Sequence, residues 1–184
     1  TGPPASGKTY LSKRLAILFN LPHYTIIDIV NYGLNLTDEL GEEVKAKMDE
    51  LKEKIKEELE AEAEAKKKKS EVDTTPRLPD ELLHKILKRM LKENICRNRG
   101  YILDGYPRSH QDCDGVFMDI DETKEENDPD RLKLSAEIIP NRIIKLDNYT
   151  DDFLFSRAKE MISSNNHYNE EGMNRRIKKY RLLN

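Results

Sequence analysis

The chain has 184 residues, a length that suits one domain with a buried core. Charged residues make up 36% of it, yet the formal net charge is only −3, so no basic surplus favours nucleic acid or an anionic membrane as a partner. The two cysteines stand in no zinc-binding or disulfide pattern, which indicates free thiols and a reducing compartment such as the cytoplasm.

The chain opens with a loop, TGPPASGKT, that matches the pattern G-x-x-x-x-G-K-[ST] from Gly2 to Thr9. In this pattern the glycines let successive backbone N–H groups point at a phosphate, the lysine reaches the outer phosphates, and the threonine offers its hydroxyl to magnesium. Apolar residues follow at helical spacing from Leu11, so the loop passes directly into a helix whose N-terminus attracts anions. We predict a phosphate-binding loop made of Gly2, Ala5, Ser6, Gly7, Lys8 and Thr9.

A loop of this kind normally follows a buried β-strand, but only Thr1 precedes Gly2. We therefore expect the sequence to be the interior of a longer polypeptide, with an apolar strand just upstream. After the first helix ends at Pro22, the stretch HYTIID predicts a short strand or turn.

From Asp38 to Ser70 the sequence predicts one long, solvated helix. Its apolar residues form a single narrow stripe, made of Leu40, Val44, Met48, Leu51, Ile55 and Leu59. One such stripe packs on one neighbour or pairs with a helix of a partner protein, and the simpler interpretation is a helical insertion without chemistry. The run Lys66 to Lys69 is typical of a charged helix end, where the macrodipole favours cations.

The rest of the chain alternates helices and short strands. Asp80 is predicted to cap a core helix, GYILDGYPRS begins as a strand, and NRIIKLD gives another strand. Residues 119–137 are expected to form an exposed acidic or poorly ordered loop, and Thr150 or Asp151 to cap the next helix. The alternation predicts an α/β fold with a parallel sheet and helices on its faces.

The stretch GYILDGYPRS carries the second chemical motif. Asp104 ends a predicted strand, and ligands of open α/β sheets bind at the carboxyl ends of strands, so this acid can hold magnesium-bound water near the loop. Arg108 follows four residues later and can grip a second phosphate bidentately. Two facing phosphate clamps are typical of transfer between nucleotides, which depends on alignment and charge neutralisation. Taken alone, Asp-Gly-Tyr-Pro is more often a simple turn.

GPPASGKT, followed about a hundred residues later by GYILDGYPRS, resembles the adenylate kinase family of nucleoside-monophosphate kinases. RLPDELLHKIL resembles the helix that leads to this family's acidic strand, so the likeness covers most of the chain. The charged insertion and SSNNHYNEEGMNRRIKKYR resemble the adenylate kinase type 7 branch, which is linked to cilia and axonemes.

The resemblance implies an ATP- and magnesium-dependent phosphotransferase built on a P-loop parallel sheet with helices on both faces. It implies one domain fragment over 1–184, with a monophosphate-binding region and its helical insertion at 32–77 and a short lid remnant at 158–170. The family's last strand and helix would follow Asn184, so we expect the sheet to be truncated at both ends and this segment alone to be unstable.

Site residues are carried over from the family by position. The loop residues and Lys8 resemble the ATP phosphate loop, with Thr9 and Asp104 toward magnesium, largely through water, and Asp28 as a second acid of that network. Arg108 resembles the arginine on the AMP phosphate, which would face Lys8 across one cleft. Arg157 resembles the arginine that stacks on the ATP base, and Arg176 resembles a phosphate-clamping arginine beside the lid; solvated helix arginines are the alternative for both.

Several positions depart from the family pattern, mostly on the AMP side. The family has an arginine at Asn31, a threonine at Ile26 and an adenine-reading glutamine at Asp112, with Gln111 one place early. Its lid pattern Arg-x-Asp-Asp is replaced by Asn165, Asn166, His167 and Tyr168. Losing one charged hydrogen bond would weaken AMP binding by about 10- to 100-fold.

Three hypotheses therefore stay open from the sequence. The first is an enzyme that transfers a phosphoryl group from MgATP to AMP. The second is a catalytically weakened adenylate kinase-like module that serves as a structural or nucleotide-sensing part of a larger, axonemal assembly, docking through the helix at 38–59. The third is a kinase for another monophosphate, such as UMP or CMP.

Overall fold

The computed structural model describes residues 1–64, 76–128, 131–147, 150–160 and 169–183. These residues form a mixed α/β chain that is mostly helical, which confirms the predicted class at this level. The elements in chain order are α1 (Lys8–Phe19), β1 (His23–Thr25), α2 (Ile26–Asn35), α3 (Glu39–Glu64), α4 (Asp80–Leu91), α5 (Asn94–Arg99), β2 (Ile102–Asp104), α6 (His110–Phe117), β3 (Met118–Ile120), β4 (Leu132–Leu134), α7 (Asp151–Glu160) and α8 (Glu170–Leu183).

The chain divides into two compact units. The first unit contains Thr1–Ile26 and Leu91–Asn184, and the second contains Ile27–Met90. The phosphate-loop sequence, both sheets and the last four helices belong to the first unit. No helix in the described ranges has the length and apolar content that crossing a membrane requires.

The first unit holds a parallel pair of strands, as the sequence predicts. β1 pairs with β2 in the register His23 with Ile102 and Thr25 with Asp104, and α1 packs against β2. Parallel strands require a crossover between them, and their carboxyl ends meet at one edge. This register therefore places Asp104 at the carboxyl edge of the sheet, as predicted.

Residues 143–146 run beside the start of the chain without forming an assigned strand. The Thr1 backbone nitrogen donates to the Ile144 carbonyl at 2.7 Å, and the Leu146 N–H donates to the Thr1 carbonyl at 2.8 Å. This alternation is the hydrogen-bond pattern of a parallel ladder. The prediction of a strand in NRIIKLD is wrong, because no strand is assigned in these described residues. Thr1 is the residue of the opposite segment that takes part in this ladder.

The expected acidic loop at 119–137 contains regular structure instead. β3 pairs with β4 antiparallel, with Met118 opposite Leu134 and Ile120 opposite Leu132. Apolar residues at alternate positions favour strands, a signal that the many surrounding acids concealed. Residues 121–128, between the strands, are acidic and mostly exposed, as expected.

The second unit is helical and builds its core between α3 and α4. Ile29 of α2, Val44 of α3 and Ile86 of α4 are fully buried there. α3 follows the predicted stripe through Met48, and Leu51 and Ile55 further along it are half-buried. Pairs such as Lys54 with Glu50, at one helical turn, stabilise the solvated face weakly. The lysine run at 66–69 and the side chain of Leu59 lie outside the described residues.

Candidate functional site

The amino-terminal loop has an unusual backbone conformation. Gly2, Ala5 and Gly7 have φ angles of 149°, 59° and 92°. A Cβ atom at Gly2 would lie 2.6 Å from the Leu146 carbonyl oxygen, and one at Gly7 would lie 3.1 Å from an Arg157 nitrogen. The loop therefore requires glycine at these two positions, whereas Ala5 adopts the left-handed conformation with a side chain present.

The N-terminus of α1 is directed into this loop. Gly7 is the N-cap and makes no side-chain hydrogen bond, and the first turn of α1 contains no acidic residue. The free N–H groups and the helix dipole amount to about half a positive charge. Because this first turn contains no acidic residue, the helix end favours an anion. Thr9 lies exposed in this first turn.

Lys8 brings a positive charge to the inner side of the loop. Its ammonium group donates to the Gly2 carbonyl at 2.7 Å and to the Pro3 carbonyl. Burial lowers the pKa of Lys8 from 10.5 to about 8, while the nearby Asp104 carboxylate raises it and the Arg176 guanidinium lowers it further. The Asp104 carboxylate and the Arg176 guanidinium are thus near enough to shift the pKa of Lys8 in opposite directions.

Asp104 is a buried acid, 8% exposed, at the end of β2. Its Oδ2 lies 3.3 Å from Nε2 of His23, a residue of the neighbouring strand that the sequence prediction missed. The signal for His23 lies in the strand pairing, because His23 stands two residues before Thr25, the residue that pairs with Asp104. A buried carboxylate held in place near Lys8 can accept a hydrogen bond from metal-bound water, or bind a cation, at this edge of the sheet.

The side chains of the protein would complete a magnesium site here only together with waters and phosphates of a bound ligand. No cluster of three or more His, Cys or acidic side chains that could hold a metal occurs among the described residues. Magnesium usually binds through one or two carboxylates together with waters and substrate phosphates. Asp104 and the hydroxyl of Thr9 would be the residues that hold it.

The helices α7 and α8 pack against the phosphate loop. Leu154 and Ala158 of α7 pack with Met173 and Ile177 of α8, and Ala5 of the loop packs against this buried cluster. Thr150 caps α7, one of the two predicted alternatives, because its hydroxyl accepts the N–H of Phe153 at 3.3 Å. The cluster packs both helices near the loop, and Arg157 of α7 bonds to the Ser6 carbonyl there.

Arg157 lies directly on the loop. Its Nη1 donates to the Ser6 carbonyl at 3.5 Å, a long bond, and its guanidinium lies 5.8 Å above the ring centre of Phe153. This stacked arrangement holds a planar cation beside the phosphate loop. Arg157 is half-buried rather than solvated.

Arg108 lies in the loop between β2 and α6. Its guanidinium stacks on the ring of Tyr106 at 5.4 Å, and its Nε lies 3.9 Å from Oδ2 of Asp112. Ser109 and Asp112 form a reciprocal capping box at the start of α6. Arg108 and Lys8 both belong to the first unit, and a shared cleft between them stays a prediction.

Two further predictions concern residues elsewhere. Asp28 is exposed in the first turn of α2, in the second unit, so its role in the magnesium network stays a prediction. Asn31 is exposed on the same helix. The altered lid positions 165–168 lie outside the described residues.

The fold and the site define a class of protein: an α/β protein whose amino-terminal P-loop, buried acid and clustered basic side chains suit nucleotide phosphates. No protein-family model matches the chain. The chain is 31% identical to Adenylate kinase 7 of Macaca fascicularis, over 100% of this chain and 36% of that protein.

Similarity extends to microbial adenylate kinases. The chain is 31% identical to the enzyme named Adenylate kinase in Methanosarcina barkeri, over 78% of this chain and 54% of that protein. It is 38% identical to Adenylate kinase of Thermotoga maritima, over 59% of this chain and 38% of that protein. It spans between 36% and 54% of the length of these three relatives. The chain belongs to the adenylate kinase family, a family of phosphotransferases.

Proposed function

We propose that this chain is the nucleotide-binding part of a nucleoside-monophosphate kinase that transfers a phosphoryl group from MgATP to AMP. The observation that carries the proposal is the conformation of the phosphate loop, in which Gly2 and Gly7 have positive φ angles, Lys8 bonds to two loop carbonyls and Arg157 bonds to the Ser6 carbonyl. We also propose that the fold is a P-loop parallel sheet with helices on both faces. In this fold residues 32–77 would form the monophosphate-binding region and residues 158–170 a short lid remnant.

In this function each group of the chain has an electrostatic or positioning task. The loop N–H groups and Lys8 bind the outer phosphates of ATP, and Arg176 neutralises charge that develops on the transferred group. Arg157 stacks on the base side of ATP, and Arg108 grips the phosphate of the acceptor bidentately. Asp104 orients water on the magnesium side. Magnesium, when bound, would neutralise charge on the phosphates.

The test is ADP formation from ATP and AMP, with magnesium, by the full-length protein. Two neighbouring arginines of α8 provide a matched pair, because Arg176 interacts with Lys8 whereas Arg175 is exposed. Arg176→Met should lower the rate by about 10³-fold, as for other arginines on transferring phosphoryl groups, and Arg175→Met should leave it within about twofold. A wild-type protein that forms no ADP, or two variants with equal rates, would contradict the proposal.

One observation favours the second candidate, a module that binds nucleotide but turns over weakly. Asp112, at the family's adenine-reading position, is 4% exposed and bonded to its own loop, so it is unavailable to a base. In this alternative the protein senses nucleotides within a ciliary or axonemal assembly and docks through the 38–59 stripe. ATP binding without turnover, together with partner capture lost in the double variant Leu51→Ser and Ile55→Ser, would support it. Capture that survives this variant would remove the docking role.

The acceptor base is a separate question within the first proposal. Competition of AMP, UMP and CMP for the acceptor site measures it directly. AMP should be preferred if the type 7 resemblance holds, and preference for a pyrimidine nucleotide would replace AMP as the acceptor.

A further inference from the structure

Asp112 is a buried carboxylate that the proposed mechanism does not use. It stands on α6, four residues after Arg108, and is 4% exposed. A charge at this depth is costly unless it is hydrogen-bonded on most sides. Its partners therefore indicate what it does.

One oxygen of Asp112 holds the backbone of the arginine loop. Oδ2 accepts the N–H of Arg108 at 2.9 Å and the N–H of Ser109 at 3.2 Å. In return, the Asp112 N–H donates to the Ser109 hydroxyl at 3.1 Å. These bonds fix the backbone on both sides of the arginine, so the direction in which its side chain leaves the loop is set before any ligand binds.

The other oxygen holds the surface on which the arginine lies. Oδ1 accepts the hydroxyl of Tyr106 at 3.3 Å, and the Tyr106 ring is stacked 5.4 Å from the Arg108 guanidinium. Oδ2 also lies 3.9 Å from Arg108 Nε, a weak ion pair. A single carboxylate thus contacts the loop backbone on both sides of the arginine and the ring on which the arginine stacks, and it lies near the guanidinium.

We infer that Asp112 is a positioning residue for Arg108, and that it acts on the phosphate of the acceptor nucleotide rather than on its base. This inference rests on the proposed function, in which Arg108 grips the acceptor phosphate. A carboxylate buried in its own loop makes no contact with a base, so its effect must be the same for acceptors that differ only in the base. To the proposed function it adds that residue 112 contributes to recognition of the acceptor's phosphate and not of its base.

The test compares Asp112→Ala, Asp112→Asn and the control Asp114→Ala in the full-length protein. Asp114 is an exposed acid of the same helix. Asp112→Ala should raise the acceptor KM about tenfold, which corresponds to about 1.4 kcal/mol, and leave the ATP KM within about twofold. Asp112→Asn should restore the acceptor KM to within about threefold, because the amide oxygen can still accept both backbone N–H groups.

The rise in KM caused by Asp112→Ala should be equal for AMP, UMP and CMP. A rise confined to one base would mean that residue 112 reads the base, and a parallel rise in the ATP KM would mean a general loss of structure; either result overturns the inference. If Asp112→Ala does not fold, Tyr106→Phe removes only the hydroxyl bond and should raise the acceptor KM about threefold, and an unchanged KM would overturn it.

Equilibrium binding of AMP separates this inference from the proposed function. If the wild-type protein binds AMP but forms no ADP, the kinase proposal fails, while the Kd of Asp112→Ala for AMP still tests the positioning role with the same tenfold expectation. If the wild-type protein turns over and Asp112→Ala leaves every acceptor KM unchanged, only the positioning role fails. Wild-type protein that binds no monophosphate overturns both.

Discussion

Replacing Lys8 with methionine should separate phosphate binding from stability. The ammonium group is partly buried, and burial lowers its pKa to about 8, so its charged form is less favourable in the folded chain than in water. Below that pKa the folded chain carries the charge at a cost, so stability should increase as pH rises from about 8 toward 10.5. Lys8→Met removes this cost, although it also removes the bonds to the Gly2 and Pro3 carbonyls.

The same variant removes the charged donor for the outer phosphates. One hydrogen bond to a charged group contributes about 1.5–3 kcal/mol, so the Kd for ATP should rise about 10- to 100-fold. The expected result is thus a large loss of affinity with an equal or higher melting temperature. Isothermal titration calorimetry and thermal unfolding at pH 7 measure the two quantities.

Lys13→Met is the matched control, because Lys13 is an exposed lysine of the same helix. It should change neither the Kd nor the melting temperature appreciably. If Lys8→Met instead lowers the melting temperature and leaves the Kd for ATP unchanged, Lys8 merely ties the loop together and the phosphate-binding reasoning is refuted.

Three further substitutions test other parts of the site. Ala5→Gly relieves a left-handed alanine at φ 59° and should stabilise the chain by about 0.5–1 kcal/mol in denaturant unfolding, since the strain relieved exceeds the added chain entropy; no gain would show that the loop carries no such strain. Asp104→Asn should raise the magnesium concentration required for half-maximal ATP binding about tenfold, measured by titrating magnesium at fixed ATP. An unchanged magnesium requirement would show that this acid does not belong to the metal network. Arg157→Ala should raise the Kd for ATP about tenfold with little change in melting temperature, and an unchanged Kd would identify it as a structural arginine.

Local patterns were sufficient to predict much of the first unit. The loop signature, the helical spacing after it and the acid after an apolar run each depend on residues close together in sequence. β1, β2, α1 and the Thr150 cap are confirmed for this reason. The hairpin of β3 and β4 was missed because its two strands pair across a turn rich in acids, and pairing across a turn is a tertiary property that composition does not report.

The sequence by itself determined the family, the phosphate-loop conformation that requires Gly2 and Gly7, and the placement of an acid at the end of a strand. Only the tertiary structure decided which side chains act together. His23 reaches Asp104 across a parallel register, and Arg157 meets the loop from a helix about 150 residues later. It also decided that Asp112 is a buried anchor of the arginine loop. Such contacts depend on burial and on pairing between distant segments, which set the cost and the strength of every charge in the site.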